Sequence, residues 1–267
     1  MPSGTRRRPG LWIGACLVLP LAVRAQAVES APGMAPGGTA APAIDAKAVL
    51  RRADRARGSG EGVTWDVRVT SREGGREETL DFNVKNRGFD MLAVYTAPPR
   101  QRNAKLLMVN RNMWFCKPGL SKPVPISQRQ RLLGKAAYGD LASTNYAEEY
   151  EPTVRPDEEL DGRWCHVLDL KALSSRTTYD RIRYWVDRES GLGLQARFFT
   201  LSGKAIKVAR MEYANRVPDR QGNPEDFISR IVIRDELLGK GETTIEFSPP
   251  ALKPLPDSLF DLNLLNQ

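Results

Sequence analysis

Histidine is nearly absent from this sequence: His166 is the only one among 267 residues. A single histidine excludes the Ser-His-Asp triad and most histidine-built metal sites. The sequence also lacks a G-x-S-x-G elbow, a P-loop and the glycine pattern of dinucleotide-binding folds. His166 alternates with Trp164 and Leu168 in a strand-like run, which favours a structural role. We therefore predict no catalytic residue, no metal site and no cofactor.

Cysteine is scarce as well, and one of the three lies in a segment typical of a secretory signal. Arginines at 6–8, an apolar stretch over 11–23 and the small residues Ala25 and Ala27 follow the order of such signals. The sequence therefore predicts a signal peptide over residues 1–27 and export to the periplasm. A lipid anchor on Cys16 is disfavoured, because that site would cut the apolar stretch in half.

The two other cysteines, Cys116 and Cys165, lie in strand-like runs. Export would place them in an oxidising compartment, where disulfides persist. A buried cysteine also packs as a small hydrophobic residue. The sequence leaves open whether the two form a disulfide.

Blocks of one charge and long apolar runs are missing. Residues 1–27 carry four of the 40 basic residues and none of the 32 acidic ones, so the net charge of +8 falls to about +4 without them. The remaining charges are interspersed, which argues against a nucleic-acid partner. No later run reaches the roughly 18 apolar residues of a membrane-spanning helix.

What the sequence does contain is β-type alternation. A Pro-, Gly- and Ala-rich stretch over 28–43 predicts a flexible tether, and residues 44–267 are predicted to form one domain. The domain begins with a helix that Asp45 caps and Gly58 ends. Apolar residues then alternate in "VTWDVRVT" and "ETLDFNVKN", which predicts a β-hairpin, and nine further strand-like runs follow. We predict a mainly β (α+β) fold: a large curved antiparallel sheet, or incomplete β-barrel, capped by two or three helices.

Such a sheet offers more apolar inner surface than a few helices can cover, which predicts a cavity for an apolar ligand. Each residue alone is equally consistent with a packed core. From alternation, we predict the following cavity residues: Trp65, Leu80, Phe82, Met91, Leu107, Trp114, Tyr184 and Phe198.

The alternation typical of β-strands is interrupted from Pro118 to Tyr146. This stretch contains three prolines, at 118, 123 and 125, which disfavour an interior strand. The run "SQRQRLLGKAA" is compatible with a short helix capped by Ser127, with Leu132 and Leu133 on its apolar side. This predicts a lid over the mouth of the sheet, and a static surface connection is the alternative. The predicted lid residues are Ile126, Arg129, Arg131, Leu132 and Leu133.

The order of several short motifs resembles the periplasmic outer-membrane lipoprotein-sorting proteins, the LolA-like family. The first group lies in "LLMVNRNMWFCKPGLSKPVPISQRQRLLGKAAYGDLASTNY", with Trp114, Pro118, Ile126, Ser127, Arg131, Gly139, Asp140, Leu141 and Tyr146. The second lies in "YDRIRYWVDRESGLGLQARFFTLSGKAIKV", with Tyr179, Trp185, Val186, Asp187, Gly203 and Lys204. The ending "TTIEFSPPALKPLPDSLFDLNLL" is similar to the last strand and closing segment of the family.

The resemblance implies an incomplete barrel with a hydrophobic cavity that receives acyl chains. The expected function is a periplasmic, monomeric carrier of lipid or acylated lipoprotein, loaded by an inner-membrane exporter of the ABC or RND type. Two alternatives stay open. One is an envelope sensor of the same fold that detects lipid or misfolded protein, and the other is an enzyme acting on an apolar metabolite.

Overall fold

The computed structural model describes residues 44–60, 62–142, 145–218, 222–236, 239 and 241–265. The predicted signal peptide and tether lie outside these residues. Helix α1 (Ala46–Arg55) begins as predicted, because the Asp45 carboxylate accepts a hydrogen bond from the Ala48 N–H at 3.0 Å. The chain leaves the helix at Gly58, whose φ of +91° suits glycine. A second helix, α2 (Tyr146–Glu149), is a single turn.

β-Strands make up most of the described chain. They are β1 (Val63–Glu73), β2 (Arg76–Arg87), β3 (Asp90–Ala97), β4 (Lys105–Val109), β5 (Asn112–Cys116), β6 (Val124–Ile126), β7 (Arg131–Leu133), β8 (Ala136–Ala137), β9 (Tyr150–Leu160), β10 (Arg163–Ala172), β11 (Arg181–Asp187), β12 (Gly193–Phe199), β13 (Ala205–Glu212), β14 (Asn215–Pro218), β15 (Pro224–Phe227), β16 (Arg230–Asp235), β17 (Glu242–Phe247) and β18 (Ala251–Leu252). Short 3₁₀ turns occupy Pro99–Gln101, Tyr138–Leu141, Asp257–Phe260 and Leu262–Leu264.

One antiparallel sheet of fourteen strands dominates the described residues. Its order is β6-β5-β4-β3-β2-β1-β17-β16-β13-β12-β11-β10-β9, with β18 added on β1. The edges β6 and β9 do not pair, so the sheet stays open. The predicted fold class, a large antiparallel sheet or incomplete barrel with two helices, is confirmed.

The first hairpin shows why the alternation was informative. Val67 pairs with Phe82 and Val69 with Leu80, and all four side chains are buried on one face. Arg68 on the other face forms an ion pair with Asp81 at 2.8 Å. Apolar residues in every second position thus orient the sheet, with one face inward and the other in water.

The face that carries these residues, here called the inner face, packs against α1. Leu50 and Ala53 of α1 join residues from β1–β4, β10–β13, β16 and β17 in one large apolar cluster. A smaller cluster lies on the opposite, outer face, where Leu255, Phe260 and Leu265 cover Leu107 and Cys116. Cys165 belongs to a third cluster with Val167 and Trp185, and among the described residues Cys116 and Cys165 form no disulfide.

Candidate functional site

The inner face brings most of the predicted cavity residues together. Six of the eight belong to the large apolar cluster and are buried: Trp65, Leu80, Phe82, Met91, Tyr184 and Phe198. Aromatic contacts connect them to their neighbours; for example, the ring centroids of Phe82 and Tyr95 are 4.4 Å apart. In this conformation the six side chains are packed.

Leu107 and Trp114 do not lie with the other six. They are opposite each other on β4 and β5, with Leu107 in the outer cluster under the C-terminal turns. Their neighbours Leu106 and Met113 face inward instead. The prediction failed here because Leu106, Leu107 and Met108 are all buried, so β4 is apolar on both faces and alternation cannot assign the inner one.

Residues 127–142, here called the strap, cross the inner face. The predicted helix in this segment is wrong: β7 and β8 form a small hairpin, followed by the turn Tyr138–Leu141. Ser127 caps only a local turn, accepting the Arg129 N–H at 3.2 Å. The cause is Gly134, whose φ of +52° reverses the chain and ends any helix before it forms.

The strap packs its apolar side chains on the large cluster. Leu132 and Leu133 are half-buried against it, Leu141 is fully buried in it, and Ile126 packs beside them from β6. Gly134 lies directly over the pair β1–β17. A Cβ atom there would stand 2.2 Å from Ser71 Oγ and 2.4 Å from Thr243 Oγ1, so only glycine fits.

Polar contacts hold the strap near its start and at its middle. Arg129 forms an ion pair with Asp180 at 2.8 Å and donates to the Thr177 carbonyl at 2.8 Å. Lys135 forms ion pairs with Glu73 at 3.2 Å and Asp235 at 3.3 Å. These pairs are partly exposed, so each contributes little to stability and separates readily.

Asp140 anchors the second half of the strap. Its carboxylate accepts hydrogen bonds from the Tyr179 hydroxyl at 2.8 Å and the Ala137 N–H at 2.8 Å, and it lies 3.3 Å from Lys207 Nζ. Lys207 also donates to the Lys135 carbonyl at 2.7 Å. The anchor therefore joins the strap to β13 and to the segment before β11.

A cleft of about 380 Å³ opens beside the strap. Its cationic lining consists of Arg129, Arg131, Lys135 and Lys207. Arg131 is exposed and forms no ion pair with a described residue. Phe199 and Ile206 give the same cleft an apolar wall.

Beneath the strap lies a charged cluster. Asp54, Arg57 and Tyr213 were not predicted as site residues, and they lie together with Tyr146 and Tyr184. The guanidinium of Arg57 lies over the Tyr146 ring, 5.3 Å from its centroid, and Tyr146 packs edge-on against Tyr184 at 5.2 Å. Asp54 accepts the Ala147 N–H at 2.9 Å, and burial raises the pKa of its carboxyl to about 7 despite this bond and the charge of Arg57. In sequence, Asp54 and Arg57 are indistinguishable from the surface charges of an ordinary helix.

Solved structures of known proteins share this architecture. A LolA superfamily protein from Nitrosomonas europaea matches with a TM-score of 0.74 and 28% identity, over 82% of this chain and 98% of its own. A putative outer membrane lipoprotein-sorting protein domain from Vibrio parahaemolyticus matches with a TM-score of 0.67 and 17% identity, over 82% and 98%. A DUF1329 family protein from Desulfovibrio piger matches with a TM-score of 0.68 and 19% identity, over 82% of this chain and 97% of its own.

The open sheet with its buried inner face is thus a LolA-like fold, as the motif order predicted. The model of a family described as "Uncharacterized protein" matches residues 89–267, and the chain belongs to that family. No curated protein sequence matches the chain. Among the helices of the described residues, none has the length and hydrophobicity of a membrane span.

Proposed function

We propose that this protein is a periplasmic carrier that shelters acyl chains of lipids or lipoproteins on its inner face and passes them between envelope membranes. The strap is the lid of this carrier. The observation that carries the proposal is the contrast between the two sides of the strap: apolar residues face the inner cluster, and partly exposed ion pairs fasten it.

The physical argument is transfer without covalent chemistry. Each methylene removed from water contributes about 0.8 kcal/mol, so a chain of ten or more carbons competes well for an apolar surface. Lifting the strap uncovers the inner face, which a chain can then occupy. The ion pairs of Arg129 and Lys135 can re-form after release, because they are noncovalent.

The wider setting of the carrier is also part of the proposal. Export by the signal peptide over residues 1–27 would place the domain between two membranes, and an exporter of the ABC or RND type is the donor we expect. The LolA-like fold and the similarity to the putative outer membrane lipoprotein-sorting protein domain from Vibrio parahaemolyticus support this setting. We propose a monomer without catalytic activity.

The first test is native mass spectrometry of the protein purified from a periplasm, with organic extraction of any bound molecule. A lipid or acylated peptide at close to one per protein supports a carrier. A long-lived protein complex without lipid, and without transfer of a labelled acyl lipid between vesicles, would instead favour the sensor alternative.

Substitution of Leu132 and Leu133 by Ser tests the strap. We expect faster loss of a bound acyl lipid, since the strap would lose part of its apolar contact, while the sheet keeps its far-UV circular dichroism. The matched control replaces the exposed Leu173 and Leu201 by Ser, which should change neither property. Retention and thermal midpoint both equal to those of the wild type would contradict the lid assignment.

A further inference from the structure

Two leucines at one end of the sheet are unusually exposed. Leu201, in the turn between β12 and β13, is 69% exposed, and Leu173, directly after β10, is 58% exposed. These are the two highest values among the large apolar side chains of the described residues. A single exposed leucine is ordinary on a protein surface, so the position of the two relative to each other decides whether they form a patch.

The strand register places the two leucines near each other. Lys171 of β10 is opposite Arg181 of β11, and Arg181 is opposite Phe199 of β12. Leu173 and Leu201 each follow this row by two residues, so both lie at the same end of the sheet. Because neighbouring strands are about 4.8 Å apart, the ends of β10 and β12 are separated by about 10 Å. The two leucines therefore belong to one apolar patch.

The loops around this patch carry positive charge. Asp180 is the only acidic residue within 171–181 and 199–204, and it is already paired with Arg129. Glu151 is opposite Lys171 and offsets part of its charge. Five exposed basic residues of these loops and the strap form no ion pair within the described part of the chain: Arg131, Lys171, Arg176, Arg181 and Lys204.

The strap and the open edge of the sheet adjoin the same patch. Arg131 lines the cleft beside the strap together with Thr200. Arg176 lines a second cleft, of about 260 Å³, together with Ile126 of the edge strand β6. The loop 117–123 before β6 is largely exposed and contains two lysines but no acidic residue. Positive charge thus continues from the patch to both neighbouring segments.

From these observations we propose that this end of the molecule docks on the surface of an anionic phospholipid bilayer. The docking surface, here called the rim, consists of residues 117–123, 171–181 and 199–204 with Arg131. Phosphate headgroups complement its unpaired cations, and the exposed leucines enter the boundary between headgroups and acyl chains. This inference rests on the proposed carrier function, to which it adds the surface that meets the membrane.

Docking at the rim would bring the strap to the membrane. Arg129 and Lys135 line the cleft beside the strap, and their ion pairs with Asp180 and Asp235 are partly exposed. Anionic headgroups would compete for these cations, because ion pairs of this exposure are weak. The bilayer would thus loosen the strap at the place where an acyl chain enters or leaves.

Cosedimentation of the purified protein with lipid vesicles tests the rim. We expect vesicles with about one-third phosphatidylglycerol to bind at least about tenfold more tightly than pure phosphatidylcholine vesicles, with a preference that falls between about 0.1 M and about 0.5 M salt. Arg176→Gln with Lys204→Gln should weaken binding to the anionic vesicles at least about tenfold, since each cation near such a surface contributes about fivefold. Leu173→Ser with Leu201→Ser should weaken it at least about fivefold.

Matched controls change residues away from the rim. Arg55→Gln with Lys253→Gln removes two exposed cations. Trp164→Ser with Leu252→Ser removes two exposed apolar side chains, which are 56% and 42% exposed. Both control variants should bind the anionic vesicles as the wild type does. All four double variants should keep the wild-type thermal midpoint, because the changed side chains are exposed.

Equal binding by the wild type and the rim variants, or no preference for anionic vesicles, would overturn the rim as a docking surface. A protein that carries acyl lipid in the native mass spectrum but binds no vesicles would keep the carrier function and lose the rim. Vesicle binding through the rim without bound lipid or lipid transfer would keep the rim and contradict the carrier function. Leu173→Ser with Leu201→Ser separates the two, because it should weaken docking while retention of a bound lipid in solution stays unchanged.

Discussion

At the scale of single residues, Asp54 and Arg57 are the clearest departure of this protein from a simple apolar core. Asp54 and Arg57 lie three positions apart on the last turn of α1 and beyond it, in a cluster that is otherwise aromatic. Burial of both groups is costly, and the carboxyl reduces the cost by holding its proton. The cluster is thus a source of instability that depends on pH.

The substitution Asp54→Asn should weaken the dependence of the protein's stability on pH. The folded-state pKa is about 7 and the ordinary value is 3.8, so the folded protein binds this proton more tightly than the unfolded chain. The stabilisation is complete below pH 3.8 and is lost as pH rises to about 7. Between pH 5 and pH 8, the free energy of unfolding of the wild type should therefore fall by about 3 kcal/mol more than that of the variant.

Urea denaturation at these two pH values measures the difference. Glu148→Gln, an exposed change on α2, should leave the dependence on pH as in the wild type. Equal slopes for Asp54→Asn and the wild type would show that this carboxyl does not titrate as proposed.

At the scale of elements, the strap is the segment that the sequence described least well. The helix α1 and the β1–β2 hairpin were predictable from local patterns. Asp45 is a typical N-cap and indicates the start of a helix, and strict alternation of apolar residues indicates strands. The conformation of the strap was not predictable, because its leucines fit a helix or a hairpin equally. It depends on contacts of Gly134 with Ser71 and Thr243, which lie more than 60 residues before it and more than 100 residues after it. Long-range contacts of this kind leave no local pattern.

Gly134→Ala should release the strap from the sheet. The new methyl group would overlap Ser71 and Thr243 and would also force a non-glycine residue to a φ of +52°, at a cost of at least about 1 kcal/mol. We expect trypsin to cleave after Arg129 and Arg131 faster than in the wild type. Gly119→Ala separates the two effects, because Gly119 has a φ of +91° but no atoms near its Cβ position.

Gly119→Ala strains the backbone but causes no steric overlap, so trypsin should cleave the strap of this control at the wild-type rate. If Gly134→Ala also left it unchanged, the contact with β1 and β17 would not be what holds the strap.

On the scale of the whole molecule, β17 joins two halves of the sheet. Strands β1–β6 form one run of neighbours and β9–β13 with β16 form the other, and β17 pairs with β1 on one side and β16 on the other. The sequence predicted the strands but not this order, since pairing partners far apart in the chain are invisible to alternation. The inner positions of β4 and β5 were missed for the related reason that both faces are apolar.

Ile245→Ala in β17 should destabilise both halves at once. Ile245 is fully buried between Val69 and Ile231, and removal of its side-chain carbons should cost about 2–5 kcal/mol. Hydrogen exchange should show faster opening in β2 and in β13 together. Leu252→Ala, in the exposed strand β18, serves as control, and an effect of Ile245→Ala confined to one half would contradict a central role for β17.

The position of β17 has a consequence for biogenesis. Under the proposed export, a chain that crosses a membrane from its N-terminus delivers β1, which ends at Glu73, long before its partner β17, which begins at Glu242. Until then, the β1 edge lacks this partner, and an unpaired edge readily associates with the edges of other molecules. The proposed export should therefore depend on periplasmic chaperones that protect the β1 edge until β17 arrives.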